Sequence, residues 1–157
     1  MNLTVKADAA TLLAASDLYQ ANLDPIKPVA GLTASLTLQP YPVSTQRQTI
    51  RHGGNSLGLD GSDGALVNVL LLTYWAGRDD DDAVLGFMKT TLESIRQDAA
   101  AKGTLVPFTF MSYAWNHQDP IGSYGDENKK KLQAASKKYD PEGLFQKGVP
   151  GGWKLFK

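Results

Sequence analysis

Strand-like alternation is the strongest constraint on this chain. Residues 32–39 put Leu32, Ala34, Leu36 and Leu38 on one side and Thr33, Ser35, Thr37 and Gln39 on the other. Residues 65–75 set Val67, Val69 and Leu71 against Asn68, Leu70, Leu72 and Tyr74. Residues 107–115 set Phe108 and Phe110 against Thr109, Met111, Tyr113 and Trp115. Successive side chains of a strand point to opposite faces, so each segment has one apolar face and one mixed face. The apolar faces are assigned to a helix layer. The mixed faces then point away from the helices. They hold Leu, Met, Tyr and Trp beside Asn, Thr and Gln, which is too apolar for open solvent. Such a face suits a small-molecule cavity, where apolar walls carry a few polar groups, or a dimer interface.

The remaining segments supply the helices. A short strand over residues 2–6, with Leu3 and Val5 on one face, precedes a helix over residues 9–22. Asp8 is its expected N-cap, Leu12, Ala15, Tyr19 and Leu23 its buried stripe, and Pro25 and Pro28 its stop. Pro40 and Pro42 are expected to end the second strand. A long polar loop over residues 43–64 follows, with Leu57 and Leu59 available to pin it to the core. Asp79, Asp80, Asp81 and Asp82 open a helix running to Ala101, and their charge opposes the positive end of its dipole. Val84, Met88, Leu92, Ile95 and Ala99 form its apolar stripe, and Gly103 ends it. A last helix over residues 128–139 turns Leu132, Ala135 and Tyr139 inward. The order predicts an α+β fold: an antiparallel or mixed sheet with helices on one face. Residues 1–157 read as one domain, with residues 126–157 a C-terminal helix and tail.

Composition removes several function classes. Sixteen Lys and Arg balance sixteen Asp and Glu, so no basic field attracts nucleic acid. No cysteine is present, which removes disulfides, thiolate metal sites and cysteine nucleophiles. No run is long enough to cross a membrane as a helix, and the N-terminus lacks the layout of a signal peptide. A cytoplasmic location fits. The aspartates at 79–82 diverge around a helix axis and cannot converge on one ion, so no metal is expected. Gly53, Gly54 and Asn55 lie outside any GxGxxG or P-loop pattern.

Several segments in order, LTASLTLQPYP, GGNSLGLDGSDGALVNVLLLTYW, DDDDAV, QDPIGSYG and KKYDPEGLFQKGVPGGWKLF, resemble the substrate domain and C-terminal segment of berberine-bridge-like oxidoreductases, which are FAD-linked enzymes of the vanillyl-alcohol-oxidase type. The resemblance implies an antiparallel sheet with helices on one face and a substrate cavity on the other, looking toward a flavin held by an upstream domain. No segment here corresponds to that domain. Where the family carries Tyr-x-Asn-Tyr, this chain has Phe110, Met111, Ser112 and Tyr113. The expectation is therefore no cofactor, with FAD completed by another chain as the alternative.

Acid–base groups and a shaped cavity remain as tools. Histidine is the side chain suited to proton transfer near neutral pH, so His52 and His117 either move a proton or stand as solvated loop residues. Tyr113 and Tyr74 either donate to a developing oxyanion or serve as amphipathic packing residues. These four are the candidate catalytic residues. Thr37, Gln39, Asn68, Leu70, Leu72, Met111 and Trp115 are the candidate substrate-binding set. The expected activity is a flavin-independent isomerisation, cyclisation or pericyclic ring closure of an apolar oxygenated molecule in specialised metabolism. The alternatives are a non-catalytic partner subunit and an FAD-dependent oxidoreductase. A homodimer is expected, because the semi-apolar face and the C-terminal tail both need cover.

Overall fold

Nine elements carry the architecture: β1 (Asn2–Lys6), α1 (Ala9–Leu23), β2 (Thr33–Tyr41), α2 (Val43–Arg51), β3 (Leu66–Tyr74), α3 (Asp81–Ala101), β4 (Leu105–Val106), α4 (Pro120–Ser123) and α5 (Asp126–Tyr139). They are seen in a computed structural model, which describes residues 1–156. The strands form one antiparallel sheet in the order β2-β3-β1-β4. The fold is α+β, as the alternation predicts. None of the described helices is long and apolar enough to cross a membrane.

The helix-packed face follows the expected parity. Leu3 and Val5 of β1 join Val67, Val69 and Leu71 of β3, with Leu36 of β2 packed against them. Ala15 and Tyr19 of α1 and the whole expected stripe of α3 close the other side. Full burial of each large aliphatic side chain contributes about 1.5–3 kcal/mol, so this layer is the main source of stability. The Asp8 carboxylate accepts from the Thr11 amide at 2.8 Å and caps α1 as expected. Gly103 adopts φ 67° and ends α3. Asp81 does more than oppose the dipole: Trp75 donates to it through Nε1 at 2.7 Å, tying the end of β3 to α3.

Four expectations need correction. First, β2 continues through Pro40 to Tyr41. It is an edge strand, where a missing N–H costs no ladder bond. Its Leu38 is exposed because the helices do not reach that edge. Second, the loop over residues 43–64 begins as α2. Buried Gln46 holds that helix by donating to the carbonyls of Tyr41 at 2.9 Å and Gly64 at 3.0 Å. Third, residues 107–115 are not a strand. Only Leu105 and Val106 pair with β1, and Met111–Tyr113 is a 3-10 turn. Phe108 and Phe110 therefore leave the helix-packed side. They join Leu66, Val106, Tyr124, Tyr41, Leu57, Leu59, Met111 and Leu132 in a second cluster. Fourth, Ala135 and Tyr139 of α5 are exposed, and no residue of that helix is buried. The Lys138 ammonium lies 5.1 Å from the Tyr139 ring centroid.

Candidate functional site

The second cluster covers only part of the mixed face. Along β3 on that face, exposure is 1% at Leu66, 0% at Asn68 and 4% at Leu70, then 40% at Leu72 and 60% at Tyr74. Register carries the same step onto β2, where Tyr41 sits opposite Leu66 and Thr33 opposite Tyr74. The face is thus a ledge. One end is roofed by Phe108, Phe110, Met111 and Tyr124, and the other is an open floor of Leu72 and Tyr74 edged by Ser35 and Thr37.

Polar groups gather under the rim of the roof. Gln39 Nε2 donates to the Tyr113 hydroxyl oxygen at 3.3 Å. The Tyr113 proton has no acceptor among the described residues, so the hydroxyl is free to donate outward. The Phe110 ring meets the Tyr113 ring edge-on at 5.0 Å and fixes its orientation. Asn68 lies opposite Gln39 in the register. It donates to Asn2 Oδ1 at 2.8 Å, while its own Oδ1 is buried without a partner. Burial pushes the Tyr41 hydroxyl above its ordinary pKa, with further contributions from Tyr113 and Tyr124. Burial likewise raises Tyr124.

Two amides missed by the sequence reading hold the roof in place. The Asn2 side chain imitates a neighbouring strand: it donates to the Phe110 carbonyl at 3.0 Å and accepts from the Phe110 amide at 2.9 Å. The Gln118 side chain does the same for the Asn2 backbone, accepting from its amide at 3.2 Å and donating to its carbonyl at 2.6 Å. The available signal was Asn2 and Thr4 on the mixed side of a short strand, a parity that places polar groups beside Asn68.

The candidate residues divide among separate surroundings. Tyr113, Tyr74, Thr37, Gln39, Asn68, Leu70, Leu72 and Met111 belong to the ledge. His52 does not: it caps the C-terminus of α2, 3.4 Å from Gln48 Nε2, beside an open depression of about 600 Å³. His117 lines a cleft of about 410 Å³ against Lys89, Glu93 and Arg96 of α3. Partial desolvation and the Lys89 ammonium hold its pKa below the ordinary value. Trp115, expected on the mixed face, lines a cleft against the C-terminal tail instead. Without a strand through residues 107–115, strict alternation does not carry that far.

Among the described residues, the glycine pair and the N-termini of the three longest helices offer no cradle for a dinucleotide pyrophosphate. Gly53 and Gly54 follow the C-terminus of α2, the negative end of the helix dipole, whereas phosphates favour helix N-termini. The long helices begin with anions: Asp8 caps α1, Asp81 and Asp82 open α3, and Asp126 and Glu127 open α5.

No family model matches the chain, and no solved structure matches it significantly. Several fungal proteins are similar to it. It is 40% identical over 120 residues to the FAD-dependent monooxygenase FUP4 of Fusarium proliferatum, covering 76% of this chain and 23% of that protein. It is 32% identical over 160 residues to the FAD-dependent monooxygenase drtC of Aspergillus calidoustus, covering 100% of this chain and 30% of that one. It is 32% identical over 130 residues to the bifunctional solanapyrone synthase of Alternaria solani, covering 83% and 25%. The chain therefore spans about a quarter of the length of the curated relatives it matches. These names correct the resemblance drawn from the sequence. The likeness is to one segment of fungal proteins named as FAD-dependent monooxygenases and a synthase, not to berberine-bridge, vanillyl-alcohol-oxidase-type enzymes.

Proposed function

We propose that this chain supplies the substrate-side wall of a small-molecule catalyst of fungal specialised metabolism, of the FAD-dependent monooxygenase type. The half-roofed ledge carries this reading. Leu72, Met111 and Tyr74 offer apolar area above buried Leu70, and Gln39, Thr37 and Tyr113 offer a few directed polar groups, the composition of a ligand cavity. An apolar oxygenated molecule would lie on Leu72 with a carbonyl at the rim. There the Tyr113 hydroxyl, oriented by Gln39 and Phe110, donates a hydrogen bond to that oxygen and stabilises charge developing on it.

FAD would supply the oxidation chemistry. Since the residues present do not fit its pyrophosphate, it would be held by residues outside this chain. A flavin-free ring closure on the same wall is the second reading, resting on the Tyr113 hydroxyl as a donor that needs no flavin. A two-fold pair of chains, with two ledges facing across one cavity, is the assembly proposed for either. Sedimentation showing only monomer at micromolar concentration would refute it.

Calorimetry with 2-acetylnaphthalene, an apolar aromatic ketone, tests the wall. Leu72→Glu places a charge on the floor and is expected to weaken binding more than tenfold. Tyr113→Phe removes one hydrogen bond of about 1 kcal/mol, a loss of about fivefold. Wild-type affinity in both variants sinks the assignment. Yellow absorbance retained by the purified chain would overturn the placement of flavin outside it.

A further inference from the structure

A second cleft, separate from the ledge, lies between residues 114–121 and the tail. It has a volume of about 850 Å³, within the range of small-molecule sites. Two indoles line it: Trp115, which is 40% exposed, and half-buried Trp153. Gly151 and Gly152, both at positive φ, turn the chain just before Trp153. The amides of Gly151, Gly152, Trp153 and Lys154 have no hydrogen-bond partner among the described residues.

The charge on the cleft is unbalanced. Lys129, Lys154 and Asp119 line it, two cations against one anion. Asp119 already accepts from the Gly122 amide at 2.9 Å as the cap of α4. The Lys154 ammonium is directed to the carbonyls of Phe145 at 3.1 Å and Val149 at 2.8 Å. The Lys129 ammonium has no partner among the described residues. One cation and a run of unpaired amides therefore share a cleft with two aromatic faces.

We infer that this cleft binds a planar aromatic monoanion, a carboxylate or phenolate, stacked against Trp115 and Trp153 with its charge at Lys129 and the amides of the glycine turn. Neutral aromatics satisfy only the indoles. Simple anions satisfy only the cation, which water screens. The combination selects an aromatic acid, a ligand class distinct from the neutral ketone proposed for the ledge.

Calorimetry with 1-naphthoate, and with 1-naphthalenemethanol as the neutral control, reads this directly. The wild type is expected to prefer naphthoate by about tenfold, the contribution of one charge-assisted hydrogen bond. Lys129→Gln should remove the preference and leave the alcohol unchanged. Trp153→Ala should weaken both ligands, and Trp153→Phe should restore part of the loss. Lys137→Gln, a lysine that does not line the cleft, should change nothing. Leu72→Glu should leave naphthoate binding intact, so failure of the ledge and failure of this site are separable. Equal affinity for the two ligands in the wild type would overturn the proposal. So would a preference surviving in Lys129→Gln, or unchanged binding in Trp153→Ala with circular dichroism showing a native fold.

Discussion

Asn2→Ala is the sharpest test of how the roof is held. The Asn2 side chain is fully buried and makes three hydrogen bonds: to the Phe110 carbonyl at 3.0 Å, from the Phe110 amide at 2.9 Å and from Asn68 Nδ2 at 2.8 Å. Asn68 Nδ2 keeps a second acceptor, the Leu3 carbonyl at 3.2 Å. The loss therefore falls on the two backbone groups of Phe110. Each orphaned buried group costs about 1–3 kcal/mol, and water reaching this partly buried rim softens the sum, so about 3 kcal/mol is expected. That is a large share of a typical stability of about 5–15 kcal/mol. Urea unfolding with a slope of about 1–3 kcal/mol per molar would show a midpoint lower by about 1–3 M. Hydrogen exchange at the Phe110 amide should accelerate with it. Asn2→Asp buries a charge and sets a carboxylate oxygen against the Phe110 carbonyl, so at neutral pH it should cost at least as much as alanine. An unchanged midpoint together with unchanged Phe110 exchange in Asn2→Ala would refute the strand-mimicking role.

Three further outcomes follow from local geometry. Gly58 sits at φ 76°, where an added Cβ would stand 2.9 Å from the Tyr124 carbonyl oxygen; Gly58→Ala should cost at least about 1–2 kcal/mol from the left-handed backbone alone, read as a lower melting temperature. The Asp8 carboxyl is held below its ordinary value of 3.8 by the Thr11 amide and hydroxyl; its stabilisation is complete above that pH and is lost as pH falls through the lower folded value, so Asp8→Asn should flatten the acid limb of a stability–pH curve. His117 is held below 6.5 by partial desolvation and Lys89; the unfolded chain binds its proton first, so stability falls as pH drops from 6.5 to the folded value, and His117→Gln should remove that slope.

The fold was legible where burial follows simple periodicity. Val67, Val69 and Leu71 alternate in a central strand, and Val84, Met88, Leu92, Ile95 and Ala99 repeat on one long helix; both sets are buried as their spacing predicts. Reading failed where side chains replace backbone as hydrogen-bond partners. Gln46 stabilises α2 through carbonyls 5 and 18 residues away, and Asn2 reaches Phe110 across 108 residues. No local pattern encodes either contact. Of the residues named for a cavity face, Tyr113 and Gln39 meet at the rim, while Asn68, opposite Gln39, is fully buried. His52 and His117 were named as loop residues at strand edges where a cavity on the sheet face would open, and the fold sets each in a separate cleft away from the ledge. Tyr139 shows the limit of helical spacing, since a stripe is buried only when another element lies against it.

The failed fourth strand is what builds the ledge. Had residues 107–115 continued along β1, they would have formed the outer strand of the order β2-β3-β1-β4. Tyr113 would then stand three strand spacings from β2, roughly 14 Å at about 4.8 Å each. Its hydroxyl instead lies 3.3 Å from Gln39 of β2. That contact requires the chain to leave the sheet after Val106 and cross the mixed face. Crossing carries Phe108, Phe110 and Met111 over Leu66, covers one end of β3 and leaves Leu72 and Tyr74 bare. It also carries Trp115 to the tail, where it meets the cleft shared with Trp153. Asn2 and Gln118 make the crossing stable by supplying the pairing that a regular strand would have given to Phe110 and to the backbone of β1. Any substitution that restored regular pairing along β1 would gain ladder bonds, unroof the ledge and separate Tyr113 from Gln39.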